Sequence, residues 1–332
     1  EQNILKEVAG LDALPVGAYN IRTNGTSSAR NTTANIDIVT KEDKPGIDII
    51  IKPGTKNESV HIPVVVSQAG LKDMVYNDFF VGEGADVTIV AGCGIHNCGS
   101  ADSGHDGIHT FYVEKGAKVR YIEKHYGEGD PGTTGKRLMN PTTIVHLKED
   151  AEMIMETSQI SGIDDTLRIT EADLCDRAKL EIHDSIMTTG DQNADAQFTA
   201  DLNGEDCACN IVSRTVARDH SKQHYTSTLN GNNRCAGHTE CDSILMDQAY
   251  VLAAVVCGND RGKSYPRGSH RQDRRGAVDK TYDFRLDRRR SRGTDHFRFL
   301  KIKREKCHGS IDSEIYRMDQ RVRTYCLFWR SG

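Results

Sequence analysis

Cysteine and histidine are the residues whose type and spacing could do chemistry in this chain, and they gather in two stretches. The Gly-rich "AGCGIHNCGSADSGHDGIH" holds Cys93, His96, Cys98, His105 and His109, and "NRCAGHTECDS" holds Cys235, His238, Glu240, Cys241 and Asp242. Ten cysteines in a chain without a secretion signal favour metal, cluster or redox chemistry over a disulfide framework. Neither stretch has the paired spacing of a zinc finger or ribbon, which argues against a structural zinc site. Cys207 and Cys209 alternate by two, so they share one face of a strand and read as small thiols filling an interior. His183, His220 and His224 read as surface or corner residues. No GxSxG elbow, Walker A loop or usable GxGxxG is present, so the chain is not expected to be an enzyme.

The elements that must carry these side chains are short and β-like. "EGADVTIV", "KGAKVRYI", "EDAEMIME", "DRAKLEIH" and "EDCACNIV" share one form: polar or Gly residues, one small residue, then alternating apolar positions. The small residues are Ala85, Ala117, Ala151, Ala178 and Cys207, at intervals of 32, 34, 27 and 29. Period-2 alternation marks half-buried strands, and a degenerate repeat of this length without helical periodicity predicts stacked strand coils, a β-solenoid. "GEGDPGTTGK", "SGIDD", "TTGDQNAD" and "NGNNR" supply Gly, Asn and Asp for corners where a positive φ is tolerated. A β-sandwich, the competing architecture, would want shorter turn spacing.

Composition bounds the rest. With 332 residues, 37% apolar content and a mean hydropathy of −0.56, the chain reads as soluble and globular. Its start, "EQNILKEVAG", lacks the pattern of a signal peptide, and a cytoplasmic, non-membrane protein is expected. Charge is uneven: residues 1–257 carry a net −16 and residues 258–332 a net +11. A basic tail suggests a nucleic-acid arm, because clustered guanidinium groups release counterions from phosphates. A β-helix enzyme, metal-dependent or carbohydrate-active, is a further alternative. It would need carboxylates clustered on an exposed coil face, and that spacing is not found.

From about residue 4 to 255, through "LKEVAGLDALPVGAYNIRTNG", "VYNDFFVGEGADVTIVAGCGIHNCG", "GIHTFYVEKGAKVRYIEKHYGEG" and "GHTECDSILMD", the chain resembles the SufB/SufD family, in particular its short members. The resemblance implies a right-handed parallel β-helix flanked by helical segments. It implies a scaffold for iron–sulfur cluster assembly in the SUF system, holding a transient cluster, with the ATPase SufC as partner and a SufB/SufD-type homo- or heterodimer as the assembly. The functional cysteine of the family falls on "ECDS", which makes Cys241 the expected sulfur acceptor and iron ligand. Cys93 is the secondary candidate, with His238, Glu240, Asp242, His96 and Cys235 as helpers. Residues 1–60 are expected to lead into a β-helix core over 61–255.

The resemblance also explains the tail. Where the family continues into a helix beginning like "IHEAAIGK", this chain has "SYPRGSHRQDRRG" from Ser264. Written in permissible codons and read one base later, Ser264 onward spells "LIHEAAIGK", and the agreement continues through Lys301. Residues 256–332 therefore read as an out-of-frame tail replacing the family's C-terminal helical segment, with residues 302–332 translated from beyond the original stop. The arginines then carry no message, nucleic-acid binding is not expected, and the chain should be impaired by loss of those helices.

Overall fold

A computed structural model of the chain describes residues 6–7, 9–10, 14–129, 132–258 and 320–329. Its twenty strands, numbered in chain order, make two ten-stranded sheets. The first runs β2 (Thr26–Asn31), β1 (Ala18–Thr23), β5 (Lys56–Val66), β7 (Asp86–Asn97), β9 (Lys118–Gly129), β12 (Glu152–Ser161), β14 (Lys179–Thr188), β16 (Cys207–Ala217), β18 (Cys235–Leu245) and β20 (Gln320–Trp329). The second runs β19 (Tyr250–Gly258), β17 (Lys222–Gly231), β15 (Asn193–Leu202), β13 (Asp165–Leu174), β10 (Arg137–Met139), β8 (Ser103–Val113), β6 (Lys72–Val81), β4 (Gly46–Ile51) and β3 (Ile36–Thr40), with β11 (Thr142–Leu147) bridging β8 and β13.

From β5 to β19, successive strands switch sheets, except that β10 and β11 share one, and each pairs in parallel with the strand one coil earlier. That connectivity is a parallel β-solenoid of about seven coils, as the repeat predicts. Strands before residue 61 already belong to it, since β1 pairs in parallel with β5 and β4 with β6. Strict alternation of buried and exposed positions, as in β14 and β15, turns one face of each strand inward.

The repeat's small residues line up. Ala85, Ala117, Ala151, Ala178 and Cys207 form one buried column at a corner, and Cys235 extends it. In the first five levels the preceding residue takes a left-handed φ near +60°: Gly84, Gly116, Asp150, Arg177 and Asp206. Its N–H donates to the next coil, as from Gly84 to Lys115 and from Asp150 to Asp176. A side chain larger than a methyl or thiol would have no room inside so tight a turn, which is why the column stays small.

At the C-terminal end, β20 pairs antiparallel with β18, from Ala236 opposite Trp329 to Leu245 opposite Gln320. The other residues of the arginine-rich tail, including the stretch read as out of frame from Ser264, lie outside the described residues, as does the expected C-terminal helical flank; of the N-terminal flank, Lys6, Glu7 and Ala9 are helical. Among the described residues no helix is long and apolar enough to cross a membrane.

Candidate functional site

Strand β18 decides how its chemistry is distributed. Alternation sends Cys235, Thr239, Cys241 and Ser243 to the interior, while His238 and Glu240 lie on the outer face with Asp242. Cys241 is 1% exposed. Its Sγ is 3.4 Å from Ser243 Oγ, and Thr215 donates to the same Ser243 at 3.0 Å. Burial pushes the Cys241 thiol up to about 12, Ser243 opposes this, and the nearby carboxylates of Asp184, Asp242 and Glu240 add to it.

The helpers expected around Cys241 are sequence neighbours on the opposite side of the sheet. His238 Nδ1 lies 2.7 Å from Asn210 Oδ1, and its Nε2 lies 3.8 Å from Glu240. His96, on the outer face of β7, sits 3.2 Å from Glu128. Cys235 is inward but contacts Cys207. Cys93 is 2% exposed and packs with Val64, Val66, Ile95 and Met139. Burial raises its thiol well above the ordinary value, and Asp73 and Glu123 reinforce the shift. Cys93 and Cys241 share a sheet, but β9, β12, β14 and β16 separate their strands. At the usual strand spacing that is about 24 Å. The two thiols cannot act on one atom within this chain.

What sequence reasoning did not find is a polar chain through the interior. Asn77 Nδ2 lies 3.3 Å from His109 Nε2, His109 Nδ1 lies 2.7 Å from the Tyr121 hydroxyl, and that hydroxyl donates to Glu123 at 2.9 Å. His125 Nε2 is 3.5 Å from Glu123, and its Nδ1 is 3.1 Å from Arg168 Nη2. Arg168 also grips Asp184, which accepts from Thr157 at 2.7 Å and Ser213 at 3.1 Å. Ser213 is the register partner of Cys241. Burial would raise the Glu123 carboxyl, but His125, His109 and Arg168 hold it well below the usual range. Burial lowers His109 to about 4 and lowers His125 as well, against the pull of Glu123 on both rings. The available signal is that Glu123 and His125 in "KVRYIEKHYG", like Arg168 and Asp184 in their own strands, occupy inward positions where alternation calls for apolar residues.

Residues 72–253 match the family model described as the SUF system FeS cluster assembly SufBD core domain. The chain belongs to the SufBD family. The match begins with β6, takes in both Cys93 and Cys241, and ends inside β19, ahead of the arginine-rich tail. Two archaeal SufBD relatives agree. An iron-sulfur cluster assembly SufBD family protein of Methanocaldococcus jannaschii is 25% identical over 220 residues, covering 65% of this chain and 68% of the relative. Another, from Archaeoglobus fulgidus, is 25% identical over 217 residues, covering 64% of this chain and 56% of the relative.

In this SufBD chain the donor set is sparse. Among the described residues no three His, Cys, Asp or Glu side chains are grouped to hold a metal ion. The register neighbours of Cys241 are Ser213 and Thr324, both hydroxyls. Any iron bound at Cys241 would draw its other ligands from beyond these two neighbours.

Proposed function

We propose that this chain is a scaffold subunit for iron–sulfur cluster assembly, accepting sulfur at Cys241 and holding a nascent cluster as cargo. The observation that carries the reading is the family match over residues 72–253, with "ECDS" on the last full coil of the solenoid. The chain itself hydrolyses nothing in this reading. ATP hydrolysis belongs to a SufC partner, a SufB/SufD-type dimer supplies further ligands, and the setting is cytoplasmic. Cys93 takes a secondary part at its own site on β7.

The chemistry follows from the thiol's surroundings. With a pKa near 12, on the order of 10⁻⁵ of the Cys241 thiol is ionised at neutral pH in the closed coil. Sulfur acceptance therefore requires β18 to loosen, or a cation to approach and stabilise the thiolate. Among the described residues β18 lies between β16 and the antiparallel β20, so its loosening means that one of these two ladders parts. Ser243, held by Thr215, then donates to the thiolate as it forms.

Anaerobic reconstitution of the full chain with ferrous iron and sulfide tests this reading. A labile cluster, followed by its visible absorption, should be weakened more by Cys241→Ser than by Cys209→Ser. Cys209 is also buried and inward, and the proposal gives it no role. Equal cluster yields from the two variants would remove Cys241 from the mechanism.

A further inference from the structure

The corner column holds a second pair of thiols that the proposed scaffold role does not use. Alanine fills the column at Ala85, Ala117, Ala151 and Ala178, but the last two levels carry cysteine. Cys207 on β16 and Cys235 on β18 are direct register partners, both reduced and both at most 2% exposed. The Cys207 thiol donates to the Gly204 carbonyl at 3.1 Å and lies within hydrogen-bonding reach of the Cys235 thiol. Cys209 faces the same way two residues along, but stands opposite Gly237 and has no thiol beside it in register.

We propose that Cys207 and Cys235 are an oxidisable dithiol that closes to a disulfide, stapling β16 to β18. Adjacent strands lie about 4.8 Å apart, inside the Cα separation of about 4.4–6.8 Å that a disulfide spans. The Cβ atoms must approach by about 1 Å to reach the usual 3.8 Å.

The oxidant is a low-molecular-weight disulfide such as oxidised glutathione. The thiolate of one cysteine attacks it, forming a mixed disulfide and releasing one small thiolate. The second cysteine's thiolate then displaces the other, and the two protein protons go to the two released thiols. The hydrogen bond to Cys235, together with burial, holds the Cys207 thiol above its ordinary value. Reaction is therefore slow in the closed corner and follows its opening. The staple fastens the strand that also carries Cys241.

The folded full chain is incubated with oxidised glutathione, the remaining thiols are alkylated in denaturant, and the unreduced digest is read by tandem mass spectrometry. The expected result is a Cys207–Cys235 cross-link that dithiothreitol reverses, with Cys209 alkylated, and a raised unfolding temperature. Cys207→Ala and Cys235→Ala should each abolish the cross-link, whereas Cys209→Ala should keep it. Both alanine variants should fold, since alanine fills the same slot in four other coils. The proposal is overturned if Cys207 and Cys235 are both recovered alkylated. It is equally overturned if they pair as often with Cys209 or Cys241 as with each other.

Discussion

Arg168→Met should be among the most damaging single changes in the solenoid. Arg168 is 2% exposed and faces Asp184 on one side and His125 on the other, in a network that also holds Glu123. Methionine fills most of the volume but leaves two interior carboxylates without their only guanidinium. Breaking a buried ion pair from one side costs about 3–5 kcal/mol, because the remaining charge stays desolvated. Urea unfolding followed by circular dichroism near 218 nm should show a loss of that size at pH 7. Adding Asp184→Asn to Arg168→Met should recover part of it, since the orphaned charge is then gone. The pH dependence has a definite sign. In the natural chain the depressed Glu123 carboxyl contributes stability that is present above its unfolded pKa and fades only in strong acid. Without Arg168 that carboxyl becomes somewhat easier to protonate, but His125 and His109 still hold it down, so the variant's deficit should persist across pH 7 to 5 and shrink only in stronger acid. A loss under about 1 kcal/mol, or a double variant that costs the sum of the singles, would refute the view of this network as mutually supporting.

The His109 ring should make folding acid-sensitive: it sits near 4 when folded against 6.5 unfolded, so the unfolded chain takes up the proton first. Stability should then fall by about 3 kcal/mol as pH drops from 6.5 to 4. His109→Gln should flatten that slope, and an unchanged slope would show that the ring does not titrate this way. Gly162→Ala, at φ +76° and with a Cβ that would lie 1.8 Å from the Gly127 carbonyl oxygen, should cost well over 2 kcal/mol. Gly190→Ala, at φ +60° with nothing within 4 Å, should cost only about 1 kcal/mol. Thermal unfolding separates these two, and equal losses would mean that coil contact at Gly127 is not limiting. Restoring the reading frame ahead of Ser264 should return an acidic helical segment and binding to SufC in co-purification. Equally tight binding by the unrestored chain would place the docking surface in the solenoid, or make the tail native.

Much of the architecture was legible in the chain itself, because a solenoid writes its geometry locally. Alternation set which side chains of β14 or β18 face inward, and the small residues from Ala85 to Cys207 marked the repeat, whereas their place at a corner behind a left-handed residue, Arg177 among them, was seen only in the structure. Even the separation of Cys241 from His238, Glu240 and Asp242 follows from odd and even positions along one strand, although proximity in sequence had made them look like one site. The partnerships were different. Register joins strands 27 or more residues apart; the spacing of the small residues marks it along their own column, but it does not say which inward polar side chains of the two sheets meet. Tertiary structure alone put Arg168 between Asp184 and His125, set Ser213 beside Cys241, brought Cys207 onto Cys235, and held Cys93 far from Cys241. Period-2 alternation states that a side chain is inside. Whether it meets a charge, a hydroxyl or another thiol there depends on the coil above and the coil below.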